Sequence, residues 1–83
     1  MAQQFRVIVL RDGDVFVAQC LEVDIAAQGK TESEAKSRLR AVFHAEMEAL
    51  KEKGADISSI GPAPDSFQAL YDADVVERTE LVA

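Results

Sequence analysis

The side chains that most often carry chemistry are sparse in this sequence, which has one histidine and one cysteine. His44 has Glu48 one helical turn further on, but no second type of metal ligand lies near it, so we interpret it as a surface residue. Cys20 falls in an apolar segment, where a thiol behaves as a small hydrophobic group. A cysteine nucleophile also needs a neighbouring base, and the sequence offers none.

Two acidic or glycine-containing patterns resemble ligand sites only in part. Asp12, Asp14 and Asp24 are spaced too irregularly for a calcium loop and lack the glutamate that closes one. Asp12 and Asp14 are better explained as turn residues. Residues 29–31 read Gly-Lys-Thr, like the end of a phosphate-binding loop, but Asp24 stands where that motif needs its first glycine. We therefore expect no catalytic residue, no metal site and no cofactor.

The charge of the chain restricts its partners. The net charge is −6, from 15 acidic and 9 basic residues, in a chain of 83 residues. Such a chain repels phosphate backbones, which argues against nucleic-acid binding. It would attract a basic protein and speed the encounter with it. The net charge also keeps a small domain in solution, and that reading stays open.

Length and apolar content indicate one domain, 1–83. The cysteine count fits a reducing compartment. A single cysteine cannot form an internal disulfide. The longest uninterrupted apolar stretch covers only residues 7–10, which is too short for a signal peptide or a membrane span. We expect a cytoplasmic protein with no membrane partner.

Two segments rich in β-branched residues, 5–10 and 15–20, predict a hairpin of two strands. Asp12-Gly13 between them favours a two-residue turn, which would place Leu10 opposite Val15. A third short strand is predicted at 24–28. Since side chains alternate along a strand, the hairpin has two distinct faces.

One face of the predicted hairpin is wholly apolar and should meet a helix; it carries Phe5, Val7, Val9, Phe16, Ala18 and Cys20. The opposite face is more apolar than a solvated face requires. We therefore expect an oligomer or partner contact on this face, formed by Ile8, Leu10, Val15 and Val17.

A long helix is predicted at 32–53. Gly29 ends the third strand, Thr31 suits the N-cap, and Glu34 follows three residues later as in a capping box. Gly54 can take the left-handed conformation that ends a helix. These signals make Gly29, Thr31 and Glu34 a structural motif of the chain.

The apolar stripe of this helix has spacings of three and four residues and comprises Ala35, Leu39, Val42, Phe43, Met47 and Leu50. Glu46 falls near the middle of the stripe. The favoured interpretation is that Glu46 lies past the edge of the sheet and reaches water; the alternative is contact with a partner.

The remaining third of the chain predicts a loop at 55–64, a short helix at 65–71 starting after Pro64, and a fourth strand at 75–82. The predicted fold class is α+β, with a β-β-β-α core in which an antiparallel three-stranded meander packs on one long helix. The core spans 4–54, and a C-terminal extension, 55–83, adds the second helix and the fourth strand.

The segment VFVAQCLEV at 15–23, followed by QGKTESEA at 28–35, resembles the N-terminal domain of HicB-type antitoxins and their stand-alone relatives. In that family a hairpin strand leads through a bend to a strand that ends in QG-x-T-x-x-EA and opens an amphipathic helix. The resemblance covers residues 4–50. The proline common in the bend is absent here, and Glu46 stands where the family usually has an apolar residue.

The resemblance implies a partial ribonuclease H-like fold without catalytic carboxylates. It implies a domain that neutralises HicA, a small basic messenger-RNA-cleaving toxin, and that forms dimers or tetramers. The expected partners are thus such a toxin and the chain itself. A DNA-binding module usually follows this domain in the family; the sequence shows none, so we do not expect direct DNA binding.

Three alternatives belong to other classes. An orphan member would act only as a homo-oligomer, through the second strand face, with no toxin partner. A nuclease of the ribonuclease H type would need clustered carboxylates that the sequence does not offer. Double-stranded RNA binding conflicts with the net charge.

Overall fold

An antiparallel sheet of four strands and one long helix form the framework, in a computed structural model that describes residues 3–73 and 76–82. The order along the chain is β1 (Gln4–Asp12), β2 (Val15–Cys20), β3 (Ala26–Gly29), α1 (Glu32–Glu52), a 3-10 helix (Ile57–Ile60), α2 (Asp65–Ala73) and β4 (Glu77–Val82). The strands are arranged β3-β2-β1-β4, so β4 adds to the predicted meander beside β1. This confirms the predicted α+β fold class. Val75, the predicted start of β4, lies outside the described residues.

The β1–β2 hairpin has a different register from the predicted one. Asp12 lies opposite Val15, and Leu10 lies opposite Val17 rather than Val15. The turn comprises Gly13 and Asp14, so that Gly13, with φ of 62°, takes the first turn position. Moving the turn by one residue shifts the register by two, which keeps every side chain on its predicted face.

The first face of the sheet packs against α1. Its strand residues Phe5, Val7, Val9, Ala18 and Cys20 are all buried. The buried helix residues are Ala35, Leu39 and Phe43, spaced by four, and the Phe43 ring meets the Phe5 ring edge-on at 4.8 Å between centroids. Hydrophobic burial on this face therefore builds the main core.

Both ends of α1 have the predicted caps. The Glu34 amide donates to Thr31 Oγ1 at 3.0 Å, and the Lys30 amide donates to Glu34 Oε1 at 3.2 Å. At the other end the Gly54 amide donates to Lys51 O and the Ala55 amide to Leu50 O, with φ of 74° at Gly54. This pair of bonds is a Schellman motif, so α1 ends where the glycine predicts.

Gly29 has a second role that its position in the strand hides. A Cβ built on Gly29 would lie 2.5 Å from the Ala35 amide nitrogen and 2.9 Å from the Glu34 carbonyl carbon. Both contacts are with backbone, so no side chain can yield. Glycine at this position lets β3 and the first turn of α1 approach closely.

Val42 departs from the prediction for α1. It was expected in the core-facing stripe, yet 40% of the residue is exposed. The buried row follows Ala35, Leu39 and Phe43, and Val42 lies about 100° around the helix from Phe43. Met47 and Leu50, also predicted in the stripe, are partly buried against the core.

The C-terminal extension is tied to the core through the bend after β2. The predicted loop contains the 3-10 helix, whose Ile57 joins the core. The Asp24 amide then donates to Gly61 O at 2.8 Å, and the Ala63 amide donates to Leu21 O at 3.0 Å. These bonds lead the chain from the α1 side to the second face, where α2 lies. Among the described residues, no helix is long and apolar enough to cross a membrane.

Candidate functional site

The two residues with the most reactive side chains lie apart. His44 is exposed on α1, and its ring centroid lies 6.1 Å from that of Phe43. Cys20 is fully buried in the core, and this burial raises the pKa of its thiol. Within residues 3–73 and 76–82, no three His, Cys, Asp or Glu side chains are grouped closely enough to hold a metal ion.

The predicted partner face is only partly available for contact. Ile8 is 0% exposed, because the rest of the chain covers it, and this removes it from any contact surface. Leu10, Val15 and Val17 are half-buried. Leu10 and Val17 are direct cross-strand neighbours, so the open part of this face is a small apolar patch at the hairpin end of β1 and β2.

The covered part of the second face is held by polar contacts that the sequence does not predict. Glu22 accepts hydrogen bonds from the backbone amide of Arg6, at 2.6 Å, and from its guanidinium. The same guanidinium donates to Gln68 Oε1 at 3.0 Å and lies 5.1 Å from the centroid of the Tyr71 ring. The hydrogen bond that Arg6 donates to Glu22 raises the pKa of Arg6 above its ordinary value.

Arg78 completes this cluster from β4. Its guanidinium carbon lies 5.2 Å from the centroid of the Tyr71 ring that Arg6 also contacts. Tyr71 therefore contacts two guanidinium groups, those of Arg6 and Arg78. The cluster therefore fixes α2 on the sheet and sets the position of Arg78 beside the β4 edge.

A second surface is a depression between α1 and the β3 edge of the sheet, with a volume of about 330 Å³. Its lining is apolar with two carboxylates and comprises Asp24, Ile25, Ala26, Val42, Glu46 and Ile60. Asp24 is held there because its Oδ1 accepts from Gln19 Nε2 at 3.1 Å. Glu46 is exposed, as the favoured interpretation expected. We call this feature the acidic depression.

The chemistry of the acidic depression suits a basic side chain. Lysine and arginine have apolar stems that cover surfaces such as Val42 and Ile60, and charged heads that pair with carboxylates. None of the ion pairs formed among the described residues includes Glu46. Its charge is therefore available to a partner. The position of Glu46 on the helix is predictable from sequence, whereas its proximity to Asp24 is not.

Two glutamates link the start of α1 to the start of β4. Lys36 Nζ lies 3.1 Å from Glu77 Oε1, and Glu32 hydrogen-bonds to Glu77. This bond and the Lys36 contact lower the pKa of Glu77, while the same bond and then the neighbouring Glu77 charge raise the pKa of Glu32. The ion pair between Lys36 and Glu77 thus links the start of β4 to α1.

The described residues therefore present three surfaces: the apolar patch, the acidic depression and the β4 edge. The acidic depression lies at the β3 edge of the sheet and β4 forms the opposite edge, because the strand order is β3-β2-β1-β4. Comparison of the chain with protein-family models, with curated proteins and with solved structures finds no match in any of the three.

Proposed function

We propose that this chain is a non-catalytic, cytoplasmic protein-binding domain that neutralises a small basic toxin of the HicA type, in the manner of the HicB antitoxins it resembles. The observation that carries this proposal is the acidic depression. There, an exposed valine, Val42, shares the lining with the carboxylates of Asp24 and Glu46. The net charge of −6 supports the same class of partner.

The acidic depression leaves apolar surface that its own chain does not cover. Val42 keeps 40% of its surface in contact with water, although it lies beside buried apolar residues. A partner's lysine or arginine stem would remove that apolar surface from water, and its charged head would meet Asp24 and Glu46. The acidic charge of the whole chain would also speed the encounter with a basic protein.

The test is a calorimetric titration of the purified chain with a HicA-type protein encoded beside its gene. We expect binding at micromolar concentration or tighter. Glu46→Lys should weaken that binding by about tenfold or more, because a like charge then meets the basic partner. Glu48→Lys is the matched control, since Glu48 is also exposed on α1 but does not line the depression. This control should change the affinity by less than about threefold.

Two results would overturn the proposal. One is the absence of binding at micromolar concentration with a folded chain. The other is equal weakening by Glu46→Lys and Glu48→Lys, which would reduce the depression to one part of a general negative field. A short basic HicA-like reading frame next to this gene would support the proposal before any protein is made.

The second candidate is an orphan member that acts only as a homo-oligomer through the apolar patch. The observation in its favour is that Leu10 and Val17 adjoin each other and remain half-exposed. Val17→Lys would then dissociate the oligomer, because two buried ammonium groups would face each other. An unchanged sedimentation profile for Val17→Lys would exclude this surface as the subunit contact.

A further inference from the structure

The β4 strand ends the sheet on one side, and its outer edge follows from the hydrogen-bond pattern. The Leu21 amide donates to Arg6 O, so Arg6 directs its backbone groups toward β2. Backbone direction alternates along a strand, so Phe5, Val7 and Val9 direct theirs toward β4. Their partners on β4 are Leu81, Thr79 and Glu77. The backbone groups of Arg78, Glu80 and Val82 therefore point outward from the sheet.

The β3 edge on the opposite side is protected differently. It has only four residues, and Arg38 Nη1 donates to the carbonyl oxygen of Gln28 at 3.2 Å. The Cys20 amide donates to Ile25 O, so by alternation the backbone groups of Gln28 point away from β2. Arg38 therefore bonds one of the carbonyl groups that the free edge of β3 would otherwise expose. β4 has six residues and presents an edge suited to strand addition.

The side chains on the outer positions of β4 are self-complementary. Arg78, Glu80 and Val82 share the second face, two residues apart. Arg78 stands over Tyr71 beside the edge. Glu80 lies opposite Arg6 in the sheet, yet Arg6 forms its ion pair with Glu22. Val82 is 52% exposed.

We propose that two copies of the chain pair through β4 in antiparallel orientation, with Arg78 of each copy opposite Glu80 of the other. In this register Thr79 lies opposite Thr79 on the two-fold axis, and Val82 lies opposite Val76. The backbone N–H and C=O groups of Arg78 and Glu80 would then bond to each other across the two copies, as their outward direction requires. The two sheets join into one of eight strands, with both α1 helices on one face.

Neighbouring registers are less favourable for a charge reason. Shifting the pairing one way places Glu80 opposite Glu80, and shifting it the other way places Arg78 opposite Arg78. Like charges directly opposite destabilise an antiparallel pair, whereas opposite charges stabilise it. In a two-fold dimer each copy uses the same surface, so that surface must be complementary to itself. Pairing Arg78 with Glu80 in both directions meets this requirement. The β4 edge is thus best suited to pair with β4 of a second copy of the chain.

This inference goes beyond the proposed function and does not depend on it. The acidic depression lies beside β3, at the far side of the sheet from β4. A dimer formed through β4 would keep both depressions open, one on each copy. Loss of toxin binding and loss of the dimer are therefore separate outcomes of separate experiments.

The test is a charge swap followed by sedimentation equilibrium over a range of protein concentrations. We expect the full chain to dimerise. Arg78→Glu places glutamates opposite each other, and Glu80→Arg places arginines opposite each other. Each single change should raise the dimer dissociation constant by about tenfold or more, and the double swap should restore it to within about threefold.

Net charge cannot imitate this pattern. Arg78→Glu changes the net charge from −6 to −8, because one positive charge becomes negative, whereas Glu80→Arg changes it from −6 to −4 by the reverse exchange. General repulsion would weaken one dimer and strengthen the other. Lys51→Glu, an exposed change in the last turn of α1 with the same charge difference as Arg78→Glu, is the matched control and should leave the dimer intact.

A second measurement covers the case in which Arg78→Glu disturbs the Tyr71 contact and loosens α2. Hydrogen exchange of the wild-type chain should show the amides of Arg78 and Glu80 becoming protected as the protein concentration rises. A wild-type chain that stays monomeric at hundreds of micromolar would overturn the proposal. So would a double swap that fails to restore a dimer weakened by both single changes in folded protein.

Discussion

The two faces of the sheet differ in what holds them. The first face is closed by α1 mainly through apolar contacts, and Phe5, Leu39 and Phe43 are at most 2% exposed there. On the second face one apolar residue, Ile8, is fully buried, but α2 is held by the polar contacts of Arg6 with Glu22, Gln68 and Tyr71. Every residue of α2 keeps some contact with water.

Because of this difference, the first face should determine folding stability, while the second face should tolerate change. Apolar burial is non-directional and supplies most of the stability of a small domain, so the first face should determine whether the chain folds. Hydrogen bonds and cation–π contacts each contribute about 1 kcal/mol, so the second face can change with little loss of stability. Partner contacts on the second face and at the sheet edges are therefore compatible with a rigid first face.

The largest effect should follow a deletion in the centre of the first face. Phe43→Ala removes a fully buried ring that packs edge-on against Phe5, and it should lower the free energy of unfolding by about 3–5 kcal/mol. Val42→Ala, one residue earlier and 40% exposed, is the matched control and should cost less than about 1 kcal/mol. Urea unfolding followed by circular dichroism measures both, and equal losses would contradict the assignment of the core row.

A smaller effect should follow an added methyl group where β3 meets α1. Gly29→Ala places a Cβ against the Ala35 and Glu34 backbone, and should cost about 1–3 kcal/mol as the strand and helix move apart. Gln28→Ala, at the exposed neighbouring position, should stay within about 0.5 kcal/mol of wild type. A Gly29→Ala protein with unchanged thermal stability would show that this close approach is not needed.

The parts of the fold that sequence predicts are those set by local or periodic signals. The caps of α1 at Thr31 and Gly54 depend on a few consecutive residues, and both were confirmed. The face assignment of β1 and β2 was also confirmed, because alternation does not depend on the register. The register itself was wrong because Asp12-Gly13 and Gly13-Asp14 both provide two residues that suit a turn.

The parts that sequence does not predict depend on distant residues. Arg6 and Gln68 are 62 positions apart, and nothing in either segment announces the other. Asp24 and Glu46 meet at one depression only because β3 and α1 pack together. Val42 was placed in the core because spacing gives a stripe of a certain width, whereas the true width depends on how much of the helix the sheet covers.

The polar half of the second face should respond moderately to the loss of one carboxylate. Glu22→Ala leaves the Arg6 amide without its acceptor and the guanidinium without its carboxylate, and should cost about 1–2 kcal/mol, since both side chains are partly exposed to water. Glu22→Gln keeps one acceptor oxygen without the charge and should lose about half as much. Thermal unfolding measures the series, and a larger loss for Gln than for Ala would contradict this account of the cluster.

The smallest effect should come from the same substitution made on the open part of the second face. Val17→Thr exchanges a methyl group for a hydroxyl of similar size at a half-buried position, where water can still reach the hydroxyl. It should change the free energy of unfolding by less than about 0.5 kcal/mol.

Val7→Thr makes the identical change on the first face, where Val7 is 1% exposed and lies among apolar neighbours. The buried hydroxyl has only its own backbone to bond, so the expected loss is about 1–3 kcal/mol. Because chemistry and volume are matched, the difference between the two variants measures how far each face is closed to water. Equal losses would mean that the second face is covered in solution, as it would be by a second copy seated on the apolar patch, and would move the subunit contact from β4 to Leu10, Val15 and Val17.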